Sequence, residues 1–251
     1  MREKRTNGGG IIVAFLIVCA TAAISGAANL AVNSGFETSE VTYGYWPSTY
    51  GDWAGDYSAI EGATDGVTPY EGSKMLKFFG TSWNDSGPGS TSQVYQIIDV
   101  STYRSLISSN QAIATVSGYF NRVAGDAETD TAFDISIYAY QGDISSFPTQ
   151  LADGTHLAAG SNVLYSDSNP ATWQMLEAQL LLPTNTDFIT IGLIANENIF
   201  NDVSYPEFDG HFADGISAEI VPEPLSALLL GIGAIVLHNK QRQYRRYQKK
   251  S

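Results

Sequence analysis

The chain holds a single cysteine among 251 residues, Cys19, and it lies inside an apolar run near the N-terminus. The rest therefore cannot be a disulfide scaffold, a thiol enzyme or a Cys-ligated zinc site. Histidine is almost as scarce. His156, His211 and His238 are the three, too far apart in sequence to suggest a metal cluster. No G-x-S-x-G elbow, no H-E-x-x-H pair and no glycine-rich phosphate loop occurs, so no motif points to catalysis. Paired carboxylates are too common in this composition to carry information.

Positive charge is missing from the middle. Between residues 29 and 221 only Lys74, Lys77, Arg104 and Arg122 are cationic, against 24 acidic residues, a formal charge of −20. Such a surface repels nucleic acid and anionic lipid. Long apolar runs are missing too. The two that exist, Ile11 to Ala23 and Leu225 to Leu237, span 13 positions each, short of the roughly 20 residues of a comfortable membrane span.

Those runs sit at the two ends, and their flanks give them meaning. Arg2, Lys4 and Arg5 precede the first, and the small residues Ser25-Gly26-Ala27-Ala28 follow it. A basic region, an apolar region and a small-residue cleavage site make a secretory signal peptide, here residues 1–28. Val18, not a small residue, precedes Cys19, so Cys19 reads as part of the apolar region, with lipidation the alternative. At the other end Val221-Pro222-Glu223-Pro224 precedes the second run, and Lys240, Arg242, Arg245, Arg246, Lys249 and Lys250 follow it. Under the positive-inside rule this basic cluster stays cytoplasmic and leaves everything before Pro222 across the membrane.

Pro222-Glu223-Pro224, a short Leu/Gly/Ala-rich helix and a basic tail together resemble the PEP-CTERM sorting signal of Gram-negative bacteria. The resemblance covers Val221 to about Lys250, and the tail is longer than usual and broken by Gln and Tyr. It implies recognition by an exosortase, a transient membrane stage, and delivery to the cell surface, outer membrane or extracellular matrix. It leaves open whether the helix is removed or kept.

The middle, residues 29–221, is one domain in length. Disorder is excluded by abundant aromatic and β-branched residues in short patterned runs. Phe133 to Tyr138 alternates apolar and polar, as do Ile189 to Ala195 and Leu176 to Leu182. Leu30 to Val32, Met75 to Phe79, Val94 to Val100, Ile113 to Phe120 and Ile216 to Ile220 are further predicted strands. Turn-rich stretches such as Asn84 to Gly89 and Asp167 to Pro170 separate them. No segment between the ends shows helical periodicity over several turns. The expectation is an all-β jelly-roll sandwich, flanked by an N-terminal signal helix and a short C-terminal hydrophobic helix (residues 222–251).

Asn29-Leu30-Ala31-Val32-Asn33-Ser34-Gly35-Phe36-Glu37 is similar to the opening of galactose-binding-like jelly rolls, the fold of several carbohydrate-binding modules. Glu71 to Leu76, Gln96 to Val100, Trp173, Pro183 and Phe212 to Ile216 follow in the order of that family's elements. The resemblance implies a structural calcium ion held by Glu37, Asp214 and the carbonyls of Gly72 and Lys74. Hard oxygen donors suit Ca²⁺; ordinary solvated acids are the alternative.

Tyr45, Trp46 and Trp53, in a Gly- and Pro-punctuated segment, and Trp83 in a later loop are candidate platforms for stacking on a sugar. The other possibility is that they pack over the end of the sandwich. Trp173 reads as core. The sequence thus leads to an exported, non-catalytic surface or matrix protein serving adhesion or structure. The alternatives are a carbohydrate-binding module with a specific glycan and an extracellular glycoside hydrolase; polysaccharide is the expected partner.

Overall fold

The computed structural model describes residues 27–38, 41–80, 91–124, 131–197 and 210–223. The predicted signal segment up to residue 26, Trp83 and the predicted sorting segment from Pro224 onward lie outside the described residues. The strands are β1 (Thr42–Tyr43), β2 (Trp53–Gly55), β3 (Tyr57–Glu61), β4 (Met75–Gly80), β5 (Thr91–Asp99), β6 (Ala112–Arg122), β7 (Thr131–Tyr140), β8 (Ala158–Tyr165), β9 (Gln174–Leu181), β10 (Phe188–Glu197) and β11 (His211–Pro222). Two short helices, α1 (Arg104–Ser108) and α2 (Phe147–Ala152), connect β5 to β6 and β7 to β8.

The strands form two sheets, a six-stranded one ordered β1-β2-β5-β10-β7-β8 and a five-stranded one ordered β3-β4-β11-β6-β9. Every pairing is antiparallel except the short β1–β2 contact. From β4 onward the chain changes sheet at every step but one, β7 to β8, and so winds a jelly-roll sandwich.

Alternation decides which residues fill it. Phe133, Ile135, Ile137 and Ala139 of β7 and Ile189, Ile191, Leu193 and Ala195 of β10 point inward. They meet Ala114, Val116 and Phe120 of β6 and Ile216, Ala218 and Ile220 of β11. Each large side chain so buried contributes about 1.5–3 kcal/mol relative to exposure.

The expected opening strand, Leu30 to Val32, is not a strand. The peptide N–H of Leu30 donates to Ala218 O at 2.7 Å and that of Ile216 to Ser34 O at 2.9 Å. Between them the Asn29 amide does a strand's work, donating to Ile216 O at 2.9 Å and accepting from Ala218 N at 2.9 Å. A side chain has taken the backbone positions a ladder would use, and Asn33 and Phe36, both at positive φ, then turn the chain away. At the far end β11 runs into the Pro-Glu-Pro motif. Pro222 pairs with Ala112, and the Glu223 N–H donates to Gln111 O at 2.6 Å. Among the described residues no helix is long and apolar enough to cross a membrane.

Candidate functional site

Strand alternation on the six-stranded sheet has a second product besides the core. Opposite the inward residues, β5 presents Gln93, Tyr95 and Ile97 outward, β10 presents Phe188, Thr190, Gly192 and Ile194, and β7 presents Asp134, Ser136, Tyr138 and Tyr140. The register sets Gly192 between Ser136 and Tyr95, and Thr190 between Tyr138 and Ile97. An outward face would ordinarily be solvated, yet Tyr95, Ile97, Ser136, Tyr140, Phe188 and Thr190 are all buried.

Half of this face is roofed. Phe147 of α2 is fully buried against it, 5.7 Å from the Tyr95 ring and 5.5 Å from Tyr140, and Trp46 packs edge-on to Phe147 at 5.3 Å. Pro148 early in α2 suits the first turn of a helix. Tyr140 stacks on Phe188 at 5.0 Å, and His156 stands edge-on to Tyr138 at 5.1 Å.

The other half is a polar and aromatic strip. Gly192 lies at its centre because no larger residue fits. A Cβ there would come within 2.6 Å of Ser136 Oγ and 2.7 Å of the Tyr95 ring. Tyr95 therefore lies over the bare backbone of β10, its hydroxyl donating to Gln93 Oε1. Asp134 is half-buried, and its Oδ1 has no hydrogen-bond partner. The Ser136 and Thr190 hydroxyls lie beside the Tyr138 and Tyr140 phenols without closing a well-formed hydrogen bond.

Burial sets the protonation of the strip. It pushes the Asp134 carboxyl up to about 6 and the Tyr95 phenol well above the usual tyrosine range. Asp56, beside β2, is likewise pushed up to about 6, opposed by the hydrogen bond it accepts from Gln93 N at 3.0 Å. Unsatisfied buried oxygens flanked by aromatic rings are costly unless a partner supplies hydrogen bonds. Chemically, the strip offers acceptors and hydroxyls for a hydroxyl-rich ligand and, at the half-buried Tyr138, ring surface for its apolar faces.

The four aromatic residues predicted to stack on sugar divide differently. Tyr45 stands out at 69 % exposure. Trp46 is half-buried in the roof over Tyr95 and Phe147. Trp53 is a correction: it is 3 % exposed, packs on Phe36 at 5.4 Å, and donates its indole N–H to Val32 O at 2.9 Å. No face of it is left for a sugar. Trp83 lies outside the described residues. Trp173, expected in the core, is half-buried on the outer face of the five-stranded sheet, beside Val67, Met75 and Phe212.

The predicted calcium residues do come together, around the loop 70–74. Glu37 Oε1 accepts from Ser73 N at 2.6 Å and Lys74 N at 2.8 Å, and Oε2 from Ser73 Oγ at 2.7 Å. Asp214 accepts from Tyr70 N at 2.9 Å and Glu71 N at 3.1 Å through Oδ2, and from Gly215 N at 2.7 Å through Oδ1. Gly72, at φ +62°, lets the Glu37 carboxylate reach within 2.2 Å of where a Cβ would stand. As arranged, these residues do not fit a calcium ion. The groups turned toward Glu37 are N–H and O–H donors rather than carbonyls, and a cation needs lone pairs. Among the described residues no three His, Cys, Asp or Glu side chains converge as a metal site. The hydrogen bonds hold the Glu37 carboxyl below the usual range, whereas burial pushes Asp214 up to about 6 against its amide partners.

Sequence reasoning missed the strip itself. Its signal was present in Phe133 to Tyr138, where the polar positions of the alternation were read only as the solvent side of a half-buried strand. Tyrosines at 95, 138 and 140 in that same outward register were the missing clue.

No family model matches the chain, and no curated protein matches it either. Among solved structures it is similar to TmCBM61 in complex with β-1,4-galactotriose, at 13% identity over 78% of this chain and 100% of that one, with a TM-score of 0.45. It is similar also to a cyclase from Fischerella sp. TAU, at 11% identity over 78% and 99% of the two chains, TM-score 0.46. A third is the CBM22-1 xylan-binding domain from Paenibacillus barcinonensis Xyn10C, at 12% identity over 70% and 89%, TM-score 0.36. All lie below a TM-score of 0.5 and an enzyme stands among them, so what they bind or catalyse is not carried over to this chain.

Proposed function

We propose that this chain is an exported, non-catalytic surface or matrix protein whose sandwich binds a glycan on the outer face of its six-stranded sheet. The observation that carries this is the strip of Gln93, Tyr95, Asp134, Ser136 and Tyr138 around Gly192. It is aromatic, part-buried, and furnished with oxygens that the protein itself does not satisfy. Sugars present apolar ring faces and many hydroxyls, so they match both properties.

Export and sorting rest on the two ends of the sequence: the signal segment, and Pro222-Glu223-Pro224 with its apolar run and basic tail. Adhesion to the polysaccharide of a matrix is then the use of the binding face in place. A glycan array probed with the purified protein tests the binding. The expected result is retention on one group of structurally related glycans, whereas no retention on any glycan would remove the reading. Intact mass from a host carrying an exosortase tests the sorting: loss of the residues after the motif is expected, and a Pro222-Glu223-Pro224→Ala variant should keep them.

A further inference from the structure

The strands of the six-stranded sheet carry no lysine or arginine at all. The four cations of the domain are all elsewhere. Lys77, on β4 in the other sheet, bridges Asp65 at 2.6 Å and Glu61 at 3.8 Å. Arg104, on α1, pairs with Asp187 at 2.7 Å and donates to Thr186 O at 3.1 Å. Arg122, at the end of β6, is buried and donates through Nε to Asp167 O at 3.1 Å. Lys74 lies in the loop held by Glu37.

We infer that the strip selects uncharged sugar units and rejects uronate, sulfated and phosphorylated ones, with Asp134 as the residue that determines this. The inference deepens the glycan-binding reading and rests on it. Recognition of an anionic group calls for arginine or lysine, or a cluster of free N–H donors. The strip has none of the former, and its backbone N–H groups are committed to the β5–β10–β7 ladders. What it does have is the part-exposed carboxylate of Asp134, one oxygen of which, Oδ1, is buried without a partner. An ionised carboxylate can accept from two neighbouring hydroxyls of a neutral sugar, and such charge-assisted bonds are about twice as strong as neutral ones. A sugar carboxylate or sulfate placed there would offer no donor and would repel it. Half-burial of Asp134 weakens solvent screening of that repulsion.

The domain's overall charge also disfavours polyanions, so the experiment must separate the strip from the whole. Binding of the purified full-length protein is measured by affinity electrophoresis against galactan, xylan, mannan and β-glucan, and against polygalacturonate and alginate. Each is run at low salt and near 0.5 M salt, where general repulsion is screened to within a few ångströms. The wild type should bind at least one neutral polysaccharide at both salts and neither acidic one. Asp134→Asn should weaken the neutral binding about tenfold, with Glu219→Gln, an equal charge change on the other sheet, leaving it unchanged. Binding to polygalacturonate or alginate as tight as to any neutral polymer at high salt would overturn the selectivity yet leave glycan binding standing. Binding to none of the six would instead remove the glycan reading, and the inference with it. Equal loss in Asp134→Asn and Glu219→Gln would show that net charge, not Asp134, governs the contact. The wild-type comparison decides selectivity even if Asp134→Asn does not fold.

Discussion

The outer face of the six-stranded sheet and the β6–β9 side of the opposite face are built by one rule and end in opposite states. On the β6–β9 side of the five-stranded sheet the outward residues are what alternation promises, Thr115 and Ser117 of β6 half-exposed and Glu177 and Gln179 of β9 exposed, whereas at the β4–β11 end Met75 and Phe212 are buried with Val67 beside Trp173. On the six-stranded sheet the outward residues of β5, β7 and β10 are mostly buried, and polar groups among them go unsatisfied. Alternation fixes which way a side chain points. It does not fix what lies on that side. Over β6 and β9 the outside is water; over the six-stranded sheet it is α2, Trp46 and, in our reading, a ligand.

Substitutions should expose that contrast, and the largest effect is expected at the roof. Phe147→Ala removes a fully buried ring from beneath α2 and should cost about 3–5 kcal/mol in denaturant unfolding. Leu181→Ala, 42 % exposed on the other face, should cost less than about 1 kcal/mol. Equal costs would mean that the roof over the six-stranded sheet buries no more than the solvent-facing side of β9 does.

Gly192→Ala comes next. The added methyl collides with Ser136 and Tyr95, and overpacking of this kind costs about 1–3 kcal/mol. Glycan binding should fall further than the stability loss explains, because the Tyr95 ring is pushed off the strip. Thr115→Ala on β6 should lie within about 0.5 kcal/mol of wild type.

The pH profile sharpens the contrast further. Asp56, Asp134 and Asp214 have folded values near 6, above their usual 3.8, because of burial. Between those values the folded chain binds more protons than the unfolded one, so stability falls as pH rises through 6. Glu37, Asp143 and Asp187 act oppositely: hydrogen bonds hold them low, and their contribution is lost as pH falls below the ordinary carboxylate range. The melting temperature should therefore peak in mildly acidic solution, below pH 6 and above pH 3.8. Asp134→Asn should flatten the limb above that peak, by about 1 kcal/mol at neutral pH once partial exposure is allowed for. A peak at neutral pH would mean that these carboxyls are not buried as described.

The smallest effect concerns the loop 70–74. Its carboxylate clamps are satisfied by amides, so chelation should leave the melting temperature unchanged. A calcium-dependent rise would reinstate the ion that the resemblance implies, with Glu37 and Asp214 turned toward it.

Much of the fold was legible because burial and periodicity coincide in its central strands. β7, β9 and β10 fall where alternation placed them, and β5, β6 and β11 on the further predicted strands, with ends shifted by up to about five residues. β8 was illegible because its Ala-Ala-Gly-Ser-Asn stretch is an edge strand with few buried positions. The opening strand misled because a short apolar stretch, Leu30 to Val32, says nothing of the Asn29 amide that replaces its ladder. The site was less legible than the fold. Trp53 was singled out for its chemistry and proves to be packing, whereas Tyr95 and Asp134 passed as ordinary strand residues. Composition finds aromatic side chains, but only the register shows which of them share a face with an unpaired carboxylate.

The most direct test sets the two faces against each other in one binding assay. Tyr138→Ala alters the strip, and Tyr70→Ala alters the 43 % exposed tyrosine stacked at 3.6 Å on Tyr119 outside the five-stranded sheet. With melting curves confirming that both variants fold, polysaccharide binding should be lost in Tyr138→Ala and kept in Tyr70→Ala. Loss in Tyr70→Ala with full binding in Tyr138→Ala would contradict the account and move the site to the opposite sheet.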